Sequence, residues 1–168
     1  MQTVTLILTI IIFINGFIDM KRHLSENAKT VKLSIGEHGY TPTKAHKEDA
    51  GFDIRSPLSC VLPARGAVTI DTKVHIAIPD GCCGLLVSKS GLNVKYGITS
   101  TGLIDSGYTG SIAVKLYNSS NEEYYIRRGD KITQLVILPH VNVKLKKTDK
   151  LTVEKGKRGE NGFGSSGK

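Results

Sequence analysis

The sequence predicts an all-β fold, a sandwich or jelly roll with one short helix, and three observations carry that expectation. Apolar residues recur at every second position along several stretches, the spacing that puts alternate side chains on one face of a strand. Eighteen glycines, six tyrosines and no tryptophan accompany very few long helical patterns, which suits many short strands joined by tight turns. With 168 residues, 39% of them hydrophobic, the chain has the size and apolar content of one domain around one core.

In chain order, the first twenty residues stand apart. Thr3 to Ile14 is almost wholly apolar or Thr, whereas the body that follows is polar and basic. A spanning helix needs roughly 20 apolar residues, and a secretory signal carries basic residues ahead of its apolar stretch. Here the stretch stops at Asn15-Gly16 and no Lys or Arg precedes it. Three readings remain: a weak membrane anchor, an extra strand, or translated upstream sequence with the working start at Met20. The last is preferred. It makes residues 1–19 an extension, 20–155 the β domain and 156–168 a tail, with no stable membrane association.

Within the body, residues 68–70 and 74–78 read as strands flanking the short Asp71-Thr72-Lys73 break. Residues 84–87 and 131–138 are more continuously apolar and are expected to be buried on both faces. Ile112, Val114 and Leu116 alternate with Ala113, Lys115 and Tyr117, and Val141, Val143 and Leu145 alternate with Asn142 and Lys144. Both read as half-buried strands. One stretch, residues 90–97, has a capping Ser90 at one end and Gly97 at the other and is expected to be the short helix. Its N-terminal amides, directly after Lys89, suit an anion. The tail contains Gly159, Gly162, Gly164 and Gly167, cannot bury a core, and is expected to be a mobile arm.

Composition excludes several function classes. The formal charge is +8, with Lys and Arg concentrated from Lys144 to the end, which favours an anionic partner. That basic run has neither aromatic platforms nor a recognition helix, so phosphate on a small molecule fits better than nucleic acid. Cys60, Cys82 and Cys83 are odd in number and lack a CxxC spacing, which argues against zinc or a disulfide framework and for a reduced, cytoplasmic chain. His23, His38, His46, His75 and His140 are scattered, without the pairing of a metal site or a Ser-His nucleophile system.

Five segments carry the chemistry, in this order: Ala50-Gly51-Phe52-Asp53; Lys89-Ser90-Gly91-Leu92; Gly102-Leu103-Ile104-Asp105-Ser106-Gly107-Tyr108; Gly129-Asp130-Lys131-Ile132-Thr133-Gln134-Leu135; and Arg158-Gly159-Glu160-Asn161-Gly162-Phe163-Gly164-Ser165-Ser166-Gly167. Asp105, at a strand end beside a Gly turn, can hold and deprotonate a water, or it merely caps the turn. Ser90 and Gly91 offer a hydroxyl and a backbone turn to one anion. Gln134 lies in a buried-looking strand, where a polar side chain needs a partner. Asp53 is a weaker signal, and Asp130 can be a turn former alone.

Together these segments resemble the five motifs of the trimeric dUTPase family, at comparable spacing over nearly everything from Val31 to Lys168. The resemblance implies a jelly-roll homotrimer with sites assembled from several subunits. It implies hydrolysis of dUTP to dUMP and pyrophosphate, which limits uracil in DNA. Asp105 would orient the water attacking the α-phosphorus, and Tyr108 would pack on the deoxyribose and leave no room for a 2′-hydroxyl. Backbone groups from Thr99 to Tyr108, Gly102 among them, would read the uracil. Lys89, Ser90, Gly91 and Gln134 would contact phosphate, and Asp53 would support the catalytic region through water near the metal. The tail would close over the nucleotide, with Phe163 on the uracil ring and Arg158, Gly164, Ser165 and Ser166 at the β and γ phosphates. Magnesium would be held mainly by substrate phosphates and water, with no dedicated carboxylate cage. Lys89 departs from the family's usual Arg, keeping the charge but losing the planar fork.

Three competing readings rank lower. A dCTP deaminase of the same fold would need a carboxylate and Ser at the base's ring, which Gly102-Leu103-Ile104-Asp105 does not suggest. A non-catalytic regulator on this scaffold would need a partner surface, and no large insertion separates the motifs. A basic nucleic-acid-binding β domain would show salt-dependent DNA binding without turnover.

Overall fold

The computed structural model describes residues 30–149. The residues of the N-terminal extension and the tail, including Arg158, Phe163, Gly164, Ser165 and Ser166, lie outside them. Among the described residues ten strands and one helix follow in the order β1 (Leu33–Ile35), β2 (Phe52–Arg55), β3 (Cys60–Leu62), β4 (Ala67–Asp71), β5 (Val74–Ile76), β6 (Cys82–Ser88), α1 (Ser90–Tyr96), β7 (Ile98–Ile104), β8 (Ala113–Asn118), β9 (Tyr124–Ile126) and β10 (Lys131–Pro139).

All pairings are antiparallel. Six strands form one curled sheet in the order β2-β10-β6-β7-β8-β4, and the pairs β1-β5 and β3-β9 complete a jelly-roll-like shell. The core is what the alternation dictates. Ile98, Ser100 and Ile104 of β7 and Val114, Leu116 and Asn118 of β8 point inward, while Thr99, Thr101, Ala113, Lys115 and Tyr117 face out. Each buried Ile or Leu contributes roughly 1.5–3 kcal/mol by leaving water. Ser100 enters the core because its hydroxyl meets that of Thr133 at 2.8 Å, and Thr133 in turn donates to the Val87 carbonyl at 2.9 Å.

The helix forms where expected, with one difference at its start. Lys89, extended at φ −70° and ψ 124°, is the cap residue, no side chain caps the end, and Ser90 is already the first helical residue. Gly97 closes the helix in the left-handed region at φ 64°, its N–H reaching the Asn93 carbonyl, a conformation a side chain would strain. Seven residues are too few to be stable alone. The helix is held by Leu92, which packs on the core, and by Tyr96, whose ring lies 4.8 Å from that of Tyr124.

Two strand expectations need correction. Residues 84–87 and 131–138 are not buried on both faces: 84–87 alternate, and Gln134, Val136 and Ile137 of β10 are half-covered, because none of the described residues fully covers that face of the sheet. Residues 141–145 form no strand. Beyond Pro139, which ends β10, they run as irregular backbone, with Val141 83% and Leu145 96% exposed. The alternation is there in the sequence, but among the described residues no neighbouring strand meets it. No helix among the described residues is long and apolar enough to cross a membrane.

Candidate functional site

Asp53 is the anchor of the first cluster. It lies in β2, only 2% exposed, because β2 pairs with β10 so that Asp53 sits opposite Gln134. A carboxylate this buried needs compensating donors, and three converge on it. Lys131 Nζ is 2.6 Å from Oδ2, Lys89 Nζ donates to Oδ1 at 3.1 Å, and Gln134 Nε2 donates to the same oxygen at 3.2 Å. Burial pushes the Asp53 carboxyl up, but the bonds from Lys131 and Lys89 and their charges outweigh it, and the net effect is a carboxyl below its ordinary value. Gln134, expected to need a partner, finds it in Asp53. Lys89 has its ammonium on Asp53 too, and does not stand free.

Two ammonium groups on one carboxylate leave this patch positive. It backs onto a cleft of about 400 Å³ between α1 and the start of β10, lined by Arg55, Lys89, Gly91, Lys95 and Lys131 against a single carboxylate, Asp130. Arg55 is fixed by donating to the Gly129 carbonyl at 2.7 Å. Asp130 shapes the turn before β10, its Oδ2 accepting from the Arg127 N–H at 2.8 Å. Lys131 was quoted in the fourth segment but not singled out by sequence reasoning. The signal for it was the buried Asp53, which had to find cations, but the pairing of two residues so far apart in sequence is visible only once β2 and β10 are side by side.

Asp105, Tyr108 and Gly102 form the second cluster. They line a separate pocket of about 220 Å³ with Leu86, Leu103, Ile104, Ile112 and Ala113. Asp105 follows the last residue of β7, at the start of a turn closed by the Tyr108 N–H donating to the Asp105 carbonyl at 3.3 Å. The turn is thus closed by backbone, and among the described residues the exposed Asp105 carboxylate accepts no hydrogen bond. Gly102 lies against Leu86 on the pocket wall.

Lys89 and Asp105 lie at opposite ends of the β6–β7 hairpin. Gly84 pairs with Ile104, which puts Asp105 level with Cys83, six residues along β6 from Lys89. At about 3.3 Å per residue that is roughly 20 Å. One chain therefore gathers Asp53, Lys89, Lys131 and Gln134 around the end of β6 and sets Asp105, at the end of β7, well away from Lys89, with Gly102 between them opposite Leu86. Among the described residues no three His, Cys, Asp or Glu side chains are grouped to hold a metal ion. The three cysteines are free.

A scan against family models matches residues 37–167 to the dUTPase model. The deoxyuridine 5'-triphosphate nucleotidohydrolase of Candida albicans is 36% identical over 151 residues, covering 89% of this chain and 95% of that protein. That of Tropheryma whipplei is 41% identical over 134 residues, covering 77% and 90%. Among solved structures, a mutant dUTPase of Staphylococcus bacteriophage 80alpha with dUpNHpp superposes with a TM-score of 0.76 at 31% identity, over 83% of this chain and 99% of that one. A mutant dUTPase of phage phi11 of S. aureus, described for its coordination of a structural Mg(II) ion, gives 0.68 at 31% identity, over 73% and 98%. Sequence and fold agree that the chain belongs to the dUTPase family.

Proposed function

We propose that this chain hydrolyses dUTP to dUMP and pyrophosphate, limiting uracil in DNA, by attack of water on the α-phosphorus. The observation that carries the reading is the pocket of Gly102, Asp105 and Tyr108, in which a carboxylate without a hydrogen-bond partner among the described residues stands beside an aromatic face. Family membership and the likeness to a dUTPase structure holding dUpNHpp, a dUTP analogue, support the substrate.

In this mechanism Asp105 accepts a proton from a water whose oxygen bonds to the α-phosphorus, while the bond to the bridging oxygen breaks and pyrophosphate leaves. Tyr108 packs against the deoxyribose and excludes a 2′-hydroxyl. The cationic cluster that Asp53 organises, with Ser90 and Gly91 at its edge, receives the triphosphate, and the tail from Arg158 closes over it with Phe163 on the base and Gly164, Ser165 and Ser166 at the phosphates. Magnesium, when bound, neutralises triphosphate charge. The described residues suit an ion held through phosphate oxygens and water, since Asp53 is already shared by two lysines.

The roughly 20 Å between Asp105 and Lys89 supports a shared site in which one subunit supplies Asp105 and Tyr108 and another supplies Lys89, Ser90 and Gly91. The exposed alternation at residues 141–145 supports the same homotrimer, as a strand whose partner lies on another subunit. Reduced cysteines are in keeping with a cytoplasmic enzyme. The test is pyrophosphate release with magnesium from dUTP, dCTP, dTTP and UTP presented separately. Turnover confined to dUTP is expected, and binding of dUTP without cleavage would overturn the reading.

A further inference from the structure

Tyr108 poses a physical problem. Its residue is 47% exposed, so burial does not fix its ring, yet a steric gate works only if the ring stays where it is. Two contacts locate it. The phenol donates to the Ser111 carbonyl at 3.0 Å. The ring also lies directly over Gly110, where an added Cβ would stand 2.3 Å from the phenol oxygen and 2.5 Å from the ring carbon that bears it. The ring occupies space that any other residue at position 110 would fill.

The segment under the ring is itself pinned to the corner between β4 and β5. The Ser111 hydroxyl donates to Asp71 Oδ1. Asp71 also accepts from the Lys73 ammonium at 2.7 Å and the Lys73 N–H at 3.1 Å. The Thr109 carbonyl meets His75 Nδ1 at 2.9 Å, and the Ile112 carbonyl accepts from both the Thr72 hydroxyl, at 2.7 Å, and the Thr72 N–H, at 3.0 Å. The turn after Asp105 is already closed by its own backbone bond, so this anchoring does more than close a turn. What it holds is the residue pair on which the phenol rests.

We propose that Gly110, Ser111 and Asp71 are positioning residues that seat the Tyr108 ring and so set the selection of deoxyribose over ribose. The proposal rests on the reading of Tyr108 as the face against the sugar. None of the three needs to touch the nucleotide. Gly110 gives the ring room, the Ser111 backbone takes its hydroxyl, and Asp71 keeps Ser111 from moving. Bonds from the Lys73 ammonium and the Ser111 hydroxyl hold the Asp71 carboxyl down to about 2, so it remains a charged acceptor at neutral pH.

The experiment compares kcat/KM for dUTP and UTP in Gly110→Ala, Asp71→Ala, Asp71→Asn and Tyr108→Ala, all in the full chain and well below each variant's melting temperature. Gly110→Ala must unseat the ring, and the dUTP:UTP ratio is expected to fall about tenfold or more, as for other changes of pocket shape. Asp71→Ala is expected to lower the ratio in the same direction, and Asp71→Asn, which keeps an acceptor for Ser111, to recover most of it. Asp71 is half-exposed at its side chain, so its variants remain available should Gly110→Ala not fold. A purely structural role would lower activity on both nucleotides alike and leave the ratio unchanged. If Tyr108→Ala collapses the ratio while the Gly110 and Asp71 variants hold it within about twofold, the proposal fails and the reading of Tyr108 stands. If Tyr108→Ala itself leaves the ratio unchanged, the reading of Tyr108 fails and the proposal with it.

Discussion

Replacing Asp53 with Asn removes a buried negative charge while keeping the side chain's shape, and the surroundings set the size of the effect. The carboxylate accepts from Lys131 at 2.6 Å, Lys89 at 3.1 Å and Gln134 at 3.2 Å. Hydrogen bonds to charged groups contribute roughly 1.5–3 kcal/mol each, and breaking a buried pair costs about 3–5 kcal/mol because the other charge is left unpaired. Both lysine side chains are 29% exposed and can turn partly toward water, which discounts the loss to about 2–3 kcal/mol. For a chain of this size that is a fall in Tm of roughly 4–12 °C. Calorimetry of wild type and Asp53→Asn at one fixed protein concentration reads it directly, since association makes Tm concentration-dependent.

The same pair carries a pH signature. Asp53 has a folded pKa below its ordinary value, so its contribution is complete above the unfolded pKa of about 3.9 and disappears as pH falls through the folded one. The gap in Tm between the two proteins is therefore expected to be constant from neutral pH to about pH 5 and to close below about pH 4. A gap under about 0.5 kcal/mol at neutral pH, the size of an ordinary surface substitution, would refute the argument that this carboxylate organises the cluster. So would a gap that widens in acid.

Asp105→Asn is expected to bind dUpNHpp within about threefold of wild type while losing at least about a hundredfold in kcat, read by calorimetric titration and pyrophosphate release; full turnover would remove Asp105 from its role. A chain ending at residue 157 is expected to keep its fold by circular dichroism and lose most dUTP turnover, and unchanged kcat/KM would end the lid assignment of Arg158 and Phe163. Thr133→Val leaves the Ser100 hydroxyl buried without its partner and is expected to cost about 1–3 kcal/mol in urea denaturation. Adding Ser100→Ala is expected to recover part of that loss, because both polar groups are then gone; a double variant as unstable as the sum of the singles would show that the hydroxyls do not interact.

What the sequence made legible was what depends on near neighbours. The inward Ile112, Val114 and Leu116, the helix ending at Gly97 and the turn after Asp105 follow from short-range spacing, and all three are present. Position 90 was misplaced by one because Ser is a favoured cap in general, whereas here Lys89 takes that place without any side-chain bond. Val141, Val143 and Leu145 show the reverse failure. Alternation reports a strand's two faces but not who pairs with its edges, and among the described residues nothing does. Lys131 and Gly110 escaped for a further reason: their parts rest on which distant or bulky neighbour is set against them, Asp53 in one case and the Tyr108 ring in the other.

The distance between Asp105 and Lys89 along one hairpin carries a genetic consequence on the shared-site reading. Each chain is donor of two half-sites to two different neighbours, and a defect in one half leaves the other intact. Two inactive alleles, one lacking Asp105 and one lacking Lys131, would restore activity when expressed together, because mixed assemblies contain some junctions where both healthy halves meet. A cell carrying a single damaged copy beside a sound one would, by the same rule, lose one junction for each damaged chain incorporated, and the other junctions of a mixed assembly would keep working.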